Sequence, residues 1–168
     1  MKTIIIGNSG SGKTYLANKL KNDQSTVIHL DDLFWKGDGY NEKESIDIIN
    51  QKIENFLKLD NWIVEGVFGE LLTKFIPKSD NLIFLDLPWK NCKENLLSRG
   101  LENNKQNIDE NAKNNFQELL KWAENYWNRN DQRSKNGHLD LFTKFKKQKI
   151  ILTNHTDINQ YIIKTNNH

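Results

Sequence analysis

The chain has 168 residues, 36% of them apolar and 27% charged, with 24 basic side chains against 22 acidic ones and a net charge of +2. That length suits one domain, and five Trp and eight Phe are enough for a core, which excludes disorder throughout. The near balance of charge gives no reason to expect a polyanion partner, and a lone cysteine, Cys92, excludes an internal disulfide.

Residues 3–6 form a β-branched run that predicts a buried strand. A Gly/Ser-rich turn follows, then a helical pattern over 13–22 with Leu16, Ala17 and Leu20 on one face. Residues 25–30 predict a second strand, with Asp31 and Asp32 at its carboxyl end, and 36–41 a loop. Ile46, Ile49, Ile53, Phe56 and Leu57 recur at helical spacing. Residues 62–65 predict a third strand stopped at Gly66, 69–76 a short helix closed by Pro77, and 82–87 a fourth strand. Pro88 suits the first turn of a helix running to Arg99, with Gly100 as its stop. Residues 101–108 read as a polar loop. Ala112, Phe116, Leu119, Leu120, Ala123 and Trp127 then share the face of a long helix. Leu139, Phe142 and Phe145 suggest a short helix, 149–153 a fifth strand, and Asp157 the cap of a last helix.

Strands alternating with helices argue for a parallel sheet covered on both faces, a three-layer α/β/α domain spanning 1–168. In such folds ligands bind beyond the carboxyl ends of the strands. The apolar run at the N-terminus is too short for a signal peptide or a membrane span, so a cytoplasmic protein without a membrane partner is expected. His29, His138, His155 and His168 show no metal-ligand spacing.

Gly7-Asn8-Ser9-Gly10-Ser11-Gly12-Lys13-Thr14 fits the phosphate-loop pattern GxxxxGK[ST] without a mismatch, between a predicted strand and a predicted helix. Glycines let successive N–H groups turn inward toward phosphate oxygens, and the helix start adds a positive field. Lys13 would reach the β- and γ-phosphates, and the Thr14 hydroxyl would ligate Mg²⁺. The remaining strand ends supply candidates for the rest of a site. Asp31 could accept a proton from a substrate hydroxyl; alternation would turn Asp32 the other way, so that one of the two faces the cleft. Phe34 and Trp35 either line a substrate pocket or pack in the core. Glu65, after an apolar run, needs a partner such as Mg²⁺ or Lys13, and Asp86 is a second candidate for the metal. Gly66 would let a substrate approach the backbone.

Of the basic residues, 21 are Lys, and the three arginines Arg99, Arg129 and Arg133 fall in one stretch. Arg129 and Arg133 are four apart and would share a helix face. Guanidinium groups stabilise a phosphoryl group in transfer, so a cover carrying them over a nucleotide would complete a site.

With the phosphate loop, Asp31-Asp32-Leu33-Phe34-Trp35, Trp62-Ile63-Val64-Glu65-Gly66, Phe84-Leu85-Asp86-Leu87-Pro88 and Tyr126-Trp127-Asn128-Arg129-Asn130-Asp131-Gln132-Arg133-Ser134 in order, the chain resembles the small P-loop proteins of the adenylate kinase and shikimate kinase type. It looks most like the adenylate-kinase-like "DNA topology modulation" (FlaR-like) branch. The resemblance implies a sheet ordered 2-3-1-4-5, ATP with Mg²⁺, and a lid over about 100–136, with Arg99 at its entry and Arg129 and Arg133 returning to the phosphates. It implies an ATP-dependent kinase acting on a small-molecule or nucleotide acceptor. The alternative is a nucleotide-binding regulatory protein without robust kinase activity. A nucleic-acid partner is disfavoured by the near-neutral charge and the lack of a basic tail. No arginine precedes Arg99, and Val67-Phe68 follow Glu65-Gly66 where such kinases place an arginine that grips the acceptor's phosphate. The sequence leaves open the acceptor and the choice between monomer and homodimer.

Overall fold

A computed structural model of the chain describes residues 1–36, 42–103 and 110–166. The residues expected in loops at 37–41 and 104–108, and His168, lie outside the described residues. Five parallel strands form one sheet in the order β2-β3-β1-β4-β5: β1 (Lys2–Gly7), β2 (Thr26–His29), β3 (Trp62–Gly66), β4 (Asn81–Leu85) and β5 (Gln148–Leu152). The expected fold class and strand order are therefore both found. Eight α-helices are described: α1 (Lys13–Leu20), α2 (Leu30–Phe34), α3 (Ile46–Leu57), α4 (Gly69–Leu72), α5 (Trp89–Asn103), α6 (Glu110–Glu124), α7 (Lys135–Lys144) and α8 (His155–Asn166). None of them is long and apolar enough to cross a membrane.

The pleat sorts the apolar strand residues into two cores. Ile4, Ile6, Trp62, Val64, Leu82 and Phe84 face one side, against residues of α2, α3, α4 and α7. Ile5, Ile63, Ile83 and Leu85 face the other, against α1, the start of α5 and α8. Continuous apolar strands are what a sheet covered on both faces requires.

Several element boundaries differ from those expected. The second strand ends at His29, and Leu30 opens α2, so Asp31 and Asp32 stand in a first helical turn rather than alternating along a strand. Acidic side chains are favoured there by the helix field. Helix α1 ends at Leu20, and β4 at Leu85, one residue short of Asp86. Helix α5 runs through Gly100 instead of stopping there. A Cβ on Gly100 would lie 2.8 Å from the Phe116 ring, so the glycine serves a close contact between α5 and α6. Helix α6 stops at Glu124 and passes into a 3-10 turn, Asn125–Trp127. The cap of α8 is Asn154, whose side chain accepts from the Asp157 N–H, while the Asp157 carboxylate accepts from the Thr153 N–H and hydroxyl. The expected cap, Asp157, is thus the inner member of a reciprocal pair.

His138 on α7 is fully buried. Its Nε2 lies 3.0 Å from the Val67 carbonyl, which can only accept, so Nε2 carries the proton. Nδ1 then accepts from the Tyr126 hydroxyl at 2.7 Å. This chain of bonds ties the 3-10 turn, α7 and the segment after β3 together. Burial, ahead of the opposing Val67 bond, pushes the His138 pKa down from 6.5 to about 4. Between those values the unfolded chain binds a proton on this residue that the folded chain refuses. Stability is therefore expected to fall as pH drops from 6.5 to 4, by up to about 3 kcal/mol from this group alone. His138→Gln should flatten that slope in urea unfolding across the same pH range. Equal slopes in the two proteins would sink the assignment.

Candidate functional site

The phosphate loop joins β1 to α1, as the sequence predicts, and sits at the carboxyl end of the central strand. Gly10 and Gly12 have φ of +78° and +91°, which side chains with a Cβ rarely adopt. Gly10 is also crowded, since a Cβ there would lie 2.3 Å from the Cys92 carbonyl. Gly12 faces open space, with nothing within 4 Å of a Cβ. The loop is braced from outside. Asn8 donates to the Ala123 carbonyl at 2.9 Å, and Asn95 of α5 donates to the Gly10 carbonyl at 2.8 Å. Ser9 donates its backbone N–H to the Asn8 side chain.

Inside the loop, the Lys13 ammonium is buried and donates to the Asn8 carbonyl at 2.9 Å. The Ser11 hydroxyl is buried without a hydrogen-bond partner. A buried hydroxyl left unpaired is costly, and an ammonium with three donors and one protein acceptor has donors to spare. Both fit a phosphate held in the loop.

Of the two carboxylates considered for a metal, only Glu65 touches the loop. Its Oε1 accepts from the Thr14 hydroxyl at 2.9 Å and is 2.7 Å from His29 Nδ1. Glu65 is only 4% exposed, and burial would raise its pKa. The bonds from His29 and Thr14 and the nearby Lys13 charge outweigh burial and hold it below the ordinary carboxylate range. The same bond, again chiefly with Glu65, raises the His29 pKa. Because Thr14 donates its proton to Glu65, its oxygen lone pairs are left for a cation. Asp86 instead pairs with Lys135 of α7 at 3.0 Å. Among the described residues no three His, Cys, Asp or Glu side chains form a metal cage. A hydroxyl with one nearby carboxylate suits Mg²⁺, which keeps waters and takes oxygens from phosphates.

Asp31 and Asp32 are both exposed, just past the end of β2. Surrounding protein, ahead of every charge, raises the Asp31 pKa, with Glu65 adding to it and Lys13 and Arg99 opposing. Lys13, Glu65 and Arg99 thus lie within electrostatic reach of Asp31, in the cleft beyond the strand ends. His29 was not singled out among the candidates above, yet it belongs to this cleft. Neighbouring parallel strands in the order 2-3 place His29 beside Glu65, in Cα register, and that pairing was the available signal.

Other expected site residues fall elsewhere. Leu30 fills the space over Gly66, where a Cβ would lie 2.8 Å from the Leu30 Cβ, so a side chain and not a substrate uses that glycine. Phe34 is 9% exposed and packs in the core, stacked 4.4 Å from Phe68. Trp35 is half-buried, edge-on to Phe34 at 4.8 Å. Arg129 and Arg133 lie in the turn before α7 and do not share a helix face. Arg129 sits 3.9 Å over the Trp122 ring and donates to the Arg133 carbonyl at 3.1 Å. The Arg133 Nε donates to Glu70 Oε1 at 2.6 Å.

No protein-family model and no curated protein matches the sequence. Solved structures do resemble the fold. A gluconokinase from Sinorhizobium meliloti 1021 superposes with a TM-score of 0.54 at 12% identity, covering 98% of this chain and 88% of that one. A sugar kinase from a Janibacter species gives 0.47 at 11% identity, covering 96% and 90%. The first of these shows that the chain shares the fold of that gluconokinase.

Gly66→Ala is expected to destabilise the protein by about 1–3 kcal/mol, the usual cost of overpacking. Combined with Leu30→Ala, the double change should cost less than the sum of the two. Strict additivity in urea unfolding would detach Gly66 from Leu30.

Proposed function

We propose that the protein is an ATP-dependent phosphotransferase that moves the γ-phosphoryl group to a small-molecule or nucleotide acceptor. The observation that carries this is the braced phosphate loop, with Lys13 inside it and Thr14 hydrogen-bonded to Glu65. In this reading the loop amides, the Ser11 hydroxyl and Lys13 bind the phosphates. Thr14 would hold Mg²⁺, with Glu65 orienting the hydroxyl and supplying charge behind it. The ion neutralises phosphate charge when bound. The acceptor hydroxyl attacks the γ-phosphorus, the bond to the β-phosphate oxygen breaks, and the hydroxyl proton passes to Asp31. A carboxylate made more basic by its surroundings suits that role. Arg99, close enough to influence Asp31, adds positive charge beside the phosphates. Arg129, above Trp122, would reach the transferring group if the segment expected as a lid shifts. The FlaR-like resemblance agrees with a small kinase of this kind.

Incubation with labelled ATP and a panel of nucleotides, nucleosides and small hydroxy compounds tests the proposal. Phosphate should appear on at least one acceptor faster than ATP is hydrolysed; no such acceptor would refute it. Lys13→Ala should lose most ATP affinity or turnover. Glu65→Gln should raise the Mg²⁺ concentration needed for half-maximal turnover by roughly tenfold or more. An unchanged Mg²⁺ requirement would remove Glu65 from the metal. The base must be deprotonated, so kcat should fall in acid through an apparent pKa above the ordinary 3.8 of aspartate. Asp31→Asn should lower kcat by roughly 100-fold or more and abolish that limb.

A further inference from the structure

Arg133 packs on residues that follow β2 and β3 and is already engaged. Its guanidinium lies 4.7 Å from the Phe34 ring centre and 4.4 Å from that of Phe68. Phe34 ends α2, one turn beyond Asp31, and Phe68 follows the end of β3. Both residues therefore follow the carboxyl ends of β2 and β3, the edge of the sheet from which the phosphate loop also leaves β1. Two donors of the guanidinium, Nε and Nη2, go to the same Glu70 oxygen, the first at 2.6 Å.

The other Glu70 oxygen is buried and has no hydrogen-bond partner. Arg133 is thus the main compensation for the Glu70 charge, and opening the pair would strand a carboxylate. The backbone holds the pair in place as well. A Cβ on Gly69 would lie 2.1 Å from the Gln132 carbonyl, and one on Gly137 2.4 Å from the Asp131 carbonyl. The turn carrying Arg133 is therefore seated against the start of α4. Asp31 and Asp32, exposed on the same side, have no ion-pair partner among the described residues.

We propose that Glu70 determines acceptor specificity: by occupying the Arg133 guanidinium, it makes the acceptor site refuse phosphomonoesters and take uncharged hydroxyl compounds. A planar guanidinium is the natural grip for a phosphate, and here one edge of it, Nε and Nη2, is taken by Glu70 and its charge is balanced from within the protein. With Lys13 and Arg99 taken by the nucleotide phosphates, a phosphomonoester would meet Asp31, Asp32 and an arginine whose charge Glu70 already balances. An uncharged alcohol meets no such repulsion and still offers its hydroxyl to Asp31. Specificity here comes from a repulsive arrangement rather than from an added contact. The proposal rests on the phosphotransferase reading, and the test separates the two.

The experiment is calorimetric titration of the folded protein with phenyl phosphate after saturation with Mg²⁺ and the non-hydrolysable analogue AMP-PNP. Glu70→Gln keeps the shape of the side chain and removes its charge; Glu70→Ala replaces it if the first variant does not fold. The variant should bind phenyl phosphate roughly tenfold more tightly than the natural chain, with AMP-PNP affinity unchanged. Adding Arg133→Met should abolish the gain. Equal phenyl phosphate affinity in the natural chain and the variant, or a gain that survives Arg133→Met, would overturn the proposal. If AMP-PNP binds none of the proteins, the phosphotransferase reading falls instead. The same comparison in a Lys13→Met background, where the loop lysine cannot hold the probe, then decides the role of Glu70.

Discussion

Strand β1 is hydrogen-bonded to β3 on one side and to β4 on the other, and its side chains are buried on both faces. That position governs the cleft. A parallel sheet needs crossover helices, and these bring every strand's carboxyl end to the same edge. The phosphate loop leaves the middle of that edge. Glu65 and the start of α2 flank it on one side, and Asp86 and α5 on the other. Glu65 is held by β3, which cannot shift without losing ladder bonds to β1 and to β2. The loop glycines belong to the same arrangement: Gly10 permits α5 to come within backbone contact of the loop.

Within this frame, one carboxylate joins the two halves of the cleft. Glu65 lies almost entirely out of water, where a bare charge would be costly. It remains ionised because His29, Thr14 and Lys13 compensate it together. Thr14 opens α1 behind the phosphate loop, while His29 closes the strand that leads to Asp31. A change in charge at Glu65 would be felt by both. Asp86 follows the end of β4 on the other side of β1, and Lys135 pairs with it. The two carboxylates look alike in the sequence and differ in which cation the fold delivers to them.

The arginines divide in the same way. All three stand close in the chain, and a helical spacing would have sent Arg129 and Arg133 to one target. The helix instead ends at Glu124, and the tight turn that follows gives the two side chains separate partners. Arg129 lies over Trp122, while Arg133 packs on Phe34 and Phe68 against Glu70. The absence of an arginine before Arg99 argued against an acceptor phosphate. The engagement of Arg133 by Glu70 extends that argument to an arginine that packs on residues following β2 and β3.

The sequence by itself determined the fold class, the phosphate loop and the candidates for the site. These follow from local signals: apolar runs of strand length, helical periodicity, and a motif whose eight residues are contiguous. The near balance of 24 basic and 22 acidic residues said little until the few arginines were separated from the lysines. Only the tertiary structure decided that Glu65 partners Thr14, that His29 joins them, and that Leu30 takes the space over Gly66. Only the fold shows that Glu70, in a four-residue helix with no motif around it, meets an arginine 63 positions later. Side-chain partners of this kind depend on strand register and on which helices dock together. Those are set by packing across the whole chain, and no local spacing encodes them.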